Sequence, residues 1–390
     1  LNALGAPPAE EEQKDGQRHE SPVRVTLVGP VYPYRGGIAH YTTMLDGALR
    51  AEGHDVQLVS FSRQYPHWLF PGKSDRDPSQ KPLAAPAAHY WIDSLNPFSW
   101  VATFARMRRT RPQLIVLQWW TTFWAPVWLT LLTLNAWLLR APVVFVCHQV
   151  LPHEVRRLDR WLVHHTLAFG SRFVVQSAAA RQQLEMLLGQ VPVTVVPHPA
   201  YTMFSAHRVE RSAALATLDL AGHHPVLLFF GLIRPYKRLD LLLQAMPAVL
   251  QRFPTAILVV VGEFWEEQAP YRSAIEQLGL AAHVRIDARY VPDEEVGVYF
   301  SAADVLVAPY AGDGGSGAAQ TATGFGIPLL SVDRAATATD DAGAASRQLA
   351  QTIIDHFSNP TTVAPESRRD AAGWSDLARA IVGERARTRE

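Results

Sequence analysis

Two cations stand close together in "FFGLIRPYKRLDLLLQAM" (residues 229–246). An apolar run with the look of a buried strand ends at Gly231, which puts Arg234 and Lys237 on the following loop or first helical turn. Arginine offers a planar fork and lysine a compact point charge, and together they suit a diphosphate. Most Arg/Lys pairs are simply solvated; the position at a strand's carboxyl end argues for a ligand instead. A second stretch, "PYAGDGGSGAAQTATGFGIPLL" (309–330), follows another strand-like run with Gly312, Gly314, Gly315, Ser316 and Gly317 before a helical-looking segment. Clustered glycines at a helix start form a nest of N–H donors for phosphate oxygens. A flexible surface loop is the plainer alternative. The third stretch, "RVTLVGPVYPYRGGIAHYT" (24–42), runs from strand through Gly36-Gly37 into a helix. It lacks the Gly-x-Gly-x-x-Gly spacing of a dinucleotide fingerprint, and no acidic residue ends the next strand, "DVQLVSF". An anion at the helix start and a tight turn that needs glycine for its φ angle are both open there.

Elements that could position these loops alternate along the chain. "VRVTLVG", "DVQLVSF", "QLIVLQ", "PVVFVC", "RFVVQS" and "VTVVPH" are strand candidates, with amphipathic runs such as 38–51 and 155–169 between several of them. The pattern restarts with "HPVLLFFG", "AILVVVGE", "HVRIDA", "ADVLVAP" and "IPLLSVD", separated by helical runs such as 239–253, 274–278 and 294–302. Strand–helix alternation specifies parallel sheets covered on both faces. The expected architecture is therefore α/β, with two doubly wound, Rossmann-like domains facing a cleft. We assign residues 1–21 to a disordered tail, 22–200 to the first domain, 201–371 to the second and 372–390 to a C-terminal helix that could pack back on the first domain. The polar, turn-rich stretch 198–224 reads as the linker. Ligands of such sheets sit beyond the carboxyl ends of the strands.

Composition sets limits on function. Of 390 residues, 48% are hydrophobic and 18% charged, ample for two cores. Equal numbers of basic and acidic residues, 36 each, give a nucleic-acid partner no bulk electrostatic support. The one cysteine, Cys147, excludes an intrachain disulfide and a cysteine-only metal cluster, and fits a reducing compartment. The opening residues lack an apolar signal core and read as a tail. Residues 114–139, "LIVLQWWTTFWAPVWLTLLTLNAWLL", carry no charge and are long enough to span a bilayer. Gln118, Thr121, Thr122, Pro126 and Asn135 favour another parse: strand "LIVLQ", loop "WWTTFW" and helix "APVWLTLLTLNAWLL" of one β-α-β unit. A peripheral membrane contact through exposed tryptophans stays open.

Taken together, "GGIAHYT", "HQVLPHE" (148–154), "GLIRPYK", "VVGEFWE", "RYVPDEEVGVYFSAADVLVAPY" and "SGAAQTATGFGIPLL" resemble, in this order, the family 4 glycosyltransferases of the two-Rossmann (GT-B) type. The resemblance runs from about residue 23 to the C-terminal helix. It implies a retaining transfer of a sugar from a nucleotide-diphosphate donor to an acceptor, without an essential metal or other cofactor. The donor would lie on the second domain and the acceptor mainly on the first. On this sequence Gly36 and Gly37 would approach the donor phosphates, and Arg234 and Lys237 would hold the diphosphate as leaving group. His148 would stand beside the transferred sugar, although a histidine at a strand end is commonly structural. Backbone groups around Tyr290 and Val291 would meet the base, with Glu294 and Glu295 on a surface helix start. Gly231, Gly315, Ser316, Gly317 and Gln320 would complete the donor site.

The departures from the family pattern fall on its acidic signature. Asp313 stands at the first glutamate and Thr321 at the second, which removes a carboxylate from the ribose position. The usual arginine after the loop glycine is Leu232, and Arg234 is expected to replace it. The expected reaction is front-face attack, with the departing phosphate accepting the acceptor's proton; no carboxylate pair of glycosidase type is legible. Expected partners are a GDP- or UDP-sugar and a carbohydrate or lipid-linked acceptor, in the cytoplasm or at the inner membrane face. The alternatives are a non-catalytic sugar-nucleotide or membrane-binding module on the same fold, and a dinucleotide oxidoreductase, which the missing fingerprint argues against. Asp-x-Asp in "SDRDP" (74–78), the metal motif of another glycosyltransferase fold, stands without a hard-cation constellation and reads as coincidence. His164-His165 read as a solvated helix face rather than a zinc site.

Overall fold

The computed structural model describes residues 21–70, 72–82, 84, 86–151, 157–309, 316–332, 342–359 and 373–383. The first half builds β1 (Arg24–Val28), α1 (Gly37–Ala51), β2 (Asp55–Arg63), β3 (His89–Asp93), α2 (Pro97–Arg109), β4 (Leu114–Trp119), α3 (Ala125–Leu138), β5 (Val143–Cys147), α4 (Arg157–Leu167), β6 (Arg172–Val175), α5 (Ala178–Leu188) and β7 (Val193–Val195). Its strands are all parallel, in the order β3-β2-β1-β4-β5-β6-β7. The order reverses at β1, the point where a doubly wound sheet opens a crevice. After α6 (Thr202–Ser205) and α7 (Arg211–Thr217) the second sheet follows: β8 (Val226–Phe230), α8 (Leu239–Arg252), β9 (Ile257–Val261), α9 (Ala269–Gln277), β10 (Val284–Asp287), α10 (Asp293–Ala302), β11 (Val305–Val307), α11 (Gly317–Phe325) and β12 (Leu329–Leu330). These strands are parallel too, in the order β10-β9-β8-β11-β12. The chain continues with α12 (Ala342–Ser358) and α13 (Trp374–Val382).

Central strands such as β5, "VVFVC", and β9, "ILVVV", are buried at every residue. Continuous apolar runs of this kind are what two covered faces require. The first sheet is packed on one face by α2 to α5, with Phe104, Trp124, Trp128, Val163 and Leu184 in its core. On the other face lie α1 and α13, where Tyr41 and Leu45 meet Leu377, Ala378 and Ile381. The chain thus returns to the first sheet after the second is complete.

The uncharged stretch 114–139 splits as the strand–helix parse requires, with β4 one residue longer and a 3-10 turn, Thr122–Trp124, in place of an open loop. Among the described residues no helix is long and apolar enough to cross a membrane. Two expectations need correction. The edge strand β3, "HYWID", was not foreseen, because an edge strand with only Ile92 fully buried shows weak apolar alternation. The stretch 198–224 is more than a polar linker: it carries α6 and α7, and buries Tyr201, Phe204 and Leu220 in the core of the second domain.

Candidate active site

A cavity of about 370 Å³ opens between the carboxyl ends of the two sheets, within the range of small-molecule sites. The second domain supplies a wall from the ends of β8 and β9. Gly231 and Gly262 there come so close that a Cβ built on Gly262 would lie 2.0 Å from the Gly231 carbonyl oxygen. With φ at +150° as well, only glycine fits at 262. This crossing lets the chain turn from β8 into the 3-10 turn Pro235–Lys237, which presents Arg234 and Lys237 to the cavity. The Arg234 guanidinium lies 4.3 Å from the ring centroid of Trp265, within cation–π range. Lys237 is 7% exposed, and its Nζ lies 3.1 Å from the position of a Cβ on Gly231. Burial lowers the Lys237 pKa; the Tyr236 hydroxyl works against that shift and the Arg234 charge with it.

Two helix N-termini line the same cavity as this pair of cations. Helix α1 starts at Gly36-Gly37 and α11 at Ser316-Gly317, and all four residues line the cavity. A Cβ on Gly317 would be 4.0 Å from the Gly37 Cα, so the two helix starts nearly touch. Tyr201 holds them together. Its Oη donates to the Gly37 carbonyl at 2.7 Å, and its N–H donates to the Gln320 carbonyl at 3.1 Å. At Gly36 a Cβ would meet nothing within 4 Å, so the φ of +105° is what demands glycine. Its N–H donates to the Tyr290 hydroxyl at 3.0 Å. Helix N-termini carry partial positive charge, so the part of the cavity wall that they form favours an anion.

Of the residues singled out from sequence, Gly36, Gly37, Gly231, Arg234, Lys237, Tyr290, Val291, Ser316, Gly317 and Thr321 line this one cavity, as does Leu232. Thr321 Oγ1 donates to the Gly317 carbonyl at 2.9 Å, within its own helix. Gln320 does not line the cavity and engages the site through its carbonyl. Asp313 and Gly315, with Gly312 and Gly314, lie outside the described residues. His148 is not among the cavity-lining residues. Its Nε2 is 2.6 Å from Gln118 Oε1, and its Nδ1 is 3.3 Å from Gln176 Nε2. Its ring stands edge-on to Tyr41 at 4.6 Å. Burial, with the neighbouring His198, pushes the His148 pKa down to about 3, so the ring is neutral at neutral pH.

Several lining residues escaped sequence reasoning. Glu263, in "VVGEFWE", pairs with the Arg35 guanidinium of the first domain, each side chain 7% exposed. It also accepts the Lys73 N–H at 2.9 Å and the Trp265 indole N–H at 3.1 Å. Burial would raise its pKa, but these donors and the Arg35 charge hold the carboxyl below its ordinary range. His40 Nε2 lies 3.0 Å from Asp293 Oδ1 at the start of α10. Burial alone would depress His40; the hydrogen bond and charge of Asp293, and the charge of Asp77, raise its pKa on balance. Ligating atoms of His40, Asp77 and Asp293 lie within 4.8 Å of one another, a spacing that could admit a cation, although His40 and Asp293 here satisfy each other. The "SDRDP" loop is thus part of the cleft rather than an incidental surface loop. The Asp293 N–H donates to Ser79 Oγ at 2.8 Å, and the Gln80 N–H to Glu294 Oε1 at 3.1 Å. Glu294 therefore reaches across to the first domain instead of standing only on a surface. His164 and His165 are exposed, as a solvated face requires.

The two facing parallel-sheet domains and the cleft between them define a GT-B glycosyltransferase fold. Residues 36–199 match the Glycosyl transferase 4-like domain, and residues 224–359 match Glycosyl transferases group 1. The chain belongs to this glycosyltransferase family. It is 28% identical over 231 residues to D-inositol 3-phosphate glycosyltransferase of Nocardia farcinica, covering 57% of this chain and 47% of that protein. It is 29% identical over 174 residues to the same-named protein of Rhodococcus opacus, covering 43% and 39%. The matches thus span less than half the length of these relatives. Among solved structures, sucrose-phosphate synthase from Thermosynechococcus elongatus superimposes with a TM-score of 0.63 at 16% identity, covering 93% of this chain and 98% of that one. HepE of Anabaena, in complex with UDP and glucose, gives 0.61 at 15% identity, covering 92% and 95%. At these identities the structural likeness is one of fold.

Proposed function

We propose that the protein transfers a sugar from a nucleoside-diphosphate sugar to an acceptor hydroxyl, with retention at the anomeric carbon. The observation that carries this reading is that Arg234, Lys237 and the adjacent N-termini of α1 and α11 all line one cavity. Charge grows on the diphosphate as the glycosidic bond breaks, so fixed cations and N–H dipoles there favour the transition state over the ground state. Lys237 supplies a buried point charge, and Arg234, over the Trp265 ring, a fork of donors. The departing phosphate oxygen would take the proton from the attacking hydroxyl, so no side-chain base is needed. A uridine nucleotide is the first donor to try, because HepE, a protein of this fold, is bound to UDP and glucose. Work at a cytoplasmic membrane face on a carbohydrate or lipid-linked acceptor fits the exposed Trp68, Phe98 and Trp137.

The test is nucleoside-diphosphate release from UDP-glucose and GDP-mannose, with proton NMR of the anomeric signal in the product. Lys237→Ala and Arg234→Ala should each lower kcat by about 10²–10³, the usual effect of removing one charge-stabilising donor, while thermal melting stays close to that of the parent. Unchanged turnover in both variants would sink the diphosphate assignment. Tight nucleotide binding without turnover on any donor would favour a binding module.

A further inference from the structure

We infer that the first-domain side of the cleft is an acceptor site for a neutral, hydroxyl-rich sugar ring rather than for a phosphate ester; this rests on the glycosyl-transfer reading above. Tyr65 follows β2 and Trp120 follows β4, and both line the cavity with Phe70. The Trp120 indole N–H donates to the Tyr65 hydroxyl at 2.9 Å, and the Tyr65 and Phe70 rings are 5.7 Å apart. From the second domain Trp265 meets Phe70 edge-on at 5.4 Å, so the aromatic wall runs up to the group that steadies Arg234. Among these rings stand Gln64 and Asp75, also on the cavity. A pyranose presents apolar C–H faces to aromatic rings and hydroxyl donors around its edge, which a carboxylate and an amide accept.

Charge decides against a phosphate at this end. Among the described lining residues of the first domain, Arg35 and His40 carry the basic groups, and each is engaged by a carboxylate of the second domain, Glu263 and Asp293. The first domain's own acidic group on the cavity is Asp75, with one oxygen accepting the Tyr65 N–H at 3.4 Å and the other 3.9 Å from Arg76. A dianionic ester placed there would face Asp75 at short range and would have to pull Arg35 off Glu263 to be neutralised.

Saturation-transfer difference NMR of the whole protein distinguishes the two chemistries. The probes are methyl α-D-glucopyranoside, methyl α-D-mannopyranoside and glucose 6-phosphate, with UDP binding followed separately by calorimetry. Saturation should pass from aromatic protons to the two methyl glycosides and not to glucose 6-phosphate. Asp75→Asn should weaken glycoside binding about tenfold, the scale of one hydrogen bond to a charged group, and Trp120→Leu should abolish the transfer. UDP affinity should stay within twofold in Asp75→Asn. Binding of the phosphate ester in preference to the glycosides overturns the inference. So does absence of all three, or glycoside binding indifferent to both substitutions while UDP binds normally. Failure of UDP to bind, with the glycosides still bound, strikes the donor reading alone.

Discussion

At the scale of single residues, the cleft combines groups that are costly to keep where they are. Lys237 is a buried cation whose pKa is lowered first by desolvation, partly restored by Tyr236 and lowered again by Arg234. A diphosphate against its Nζ would favour the ammonium and raise that pKa. Binding should therefore take up protons as pH rises toward and through the free-state pKa, and affinity should fall over the same range. Calorimetry of UDP binding in buffers of different ionisation enthalpy reads this directly, and Lys237→Ala should remove the buffer dependence. Burial lowers the pKa of a second base, His148, as well. His148 is neutral down to about pH 3 and contributes stability above the ordinary histidine value of 6.5 that is lost on acidification. Arg234 and Lys237 were visible in the sequence because they follow a strand's carboxyl end, where ligands of such sheets sit. Glu263, Arg35 and His40 were not, since their partners lie in the other half of the chain. Gly262 could be read only as a glycine after a strand; its necessity lies in the Gly231 carbonyl beside it.

At the scale of elements, the sheets were legible where strands are buried on both faces, as in β5 and β9, and illegible at the edge strand β3. The helix-rich connection at 198–224 was hidden because its short helices are specified by what they pack on. Phe204 and Leu220 belong to the second core, and Tyr201 bridges α1 and α11. Helix α13 was recognisable as a helix that could pack back on the first domain, but its seat on α1 was not. It buries Leu377, Ala378 and Ile381 completely against Tyr41, Leu45 and Leu49. Leu377→Ala should remove about 2–5 kcal/mol of stability, the range for a buried Leu-to-Ala change. It should do so in the transition of the first domain, although residue 377 follows the second domain in sequence. Urea denaturation followed by hydrogen exchange of α1 amides checks this, and protection of α1 unchanged by the substitution would contradict it.

At the scale of the whole molecule, two ion pairs fasten the domains across the cleft, with opposite pH signatures. His40 has a raised pKa, so its pair with Asp293 is complete below the ordinary histidine value of 6.5 and is lost as pH rises through the higher folded value. Glu263 has a lowered pKa, so its pair with Arg35 is complete above the ordinary carboxyl value of 4.5 and is lost as pH falls through the lower folded value. The closed form should therefore be most populated between those ordinary values. Small-angle scattering should show the smallest radius of gyration there, with the alkaline expansion removed in His40→Ala. Motion of this kind also has a fixed geometry. The chain passes from the first domain to the second near Tyr201 and comes back at Trp374, and those two crossings touch: the Trp374 indole N–H donates to the Ala200 carbonyl at 2.9 Å, and its ring stacks on Tyr201 at 5.9 Å. Two covalent threads that meet in one place act as a door hinge with a single pin. The halves can turn about that point but cannot slide apart there, and cutting one thread leaves them still joined by the other.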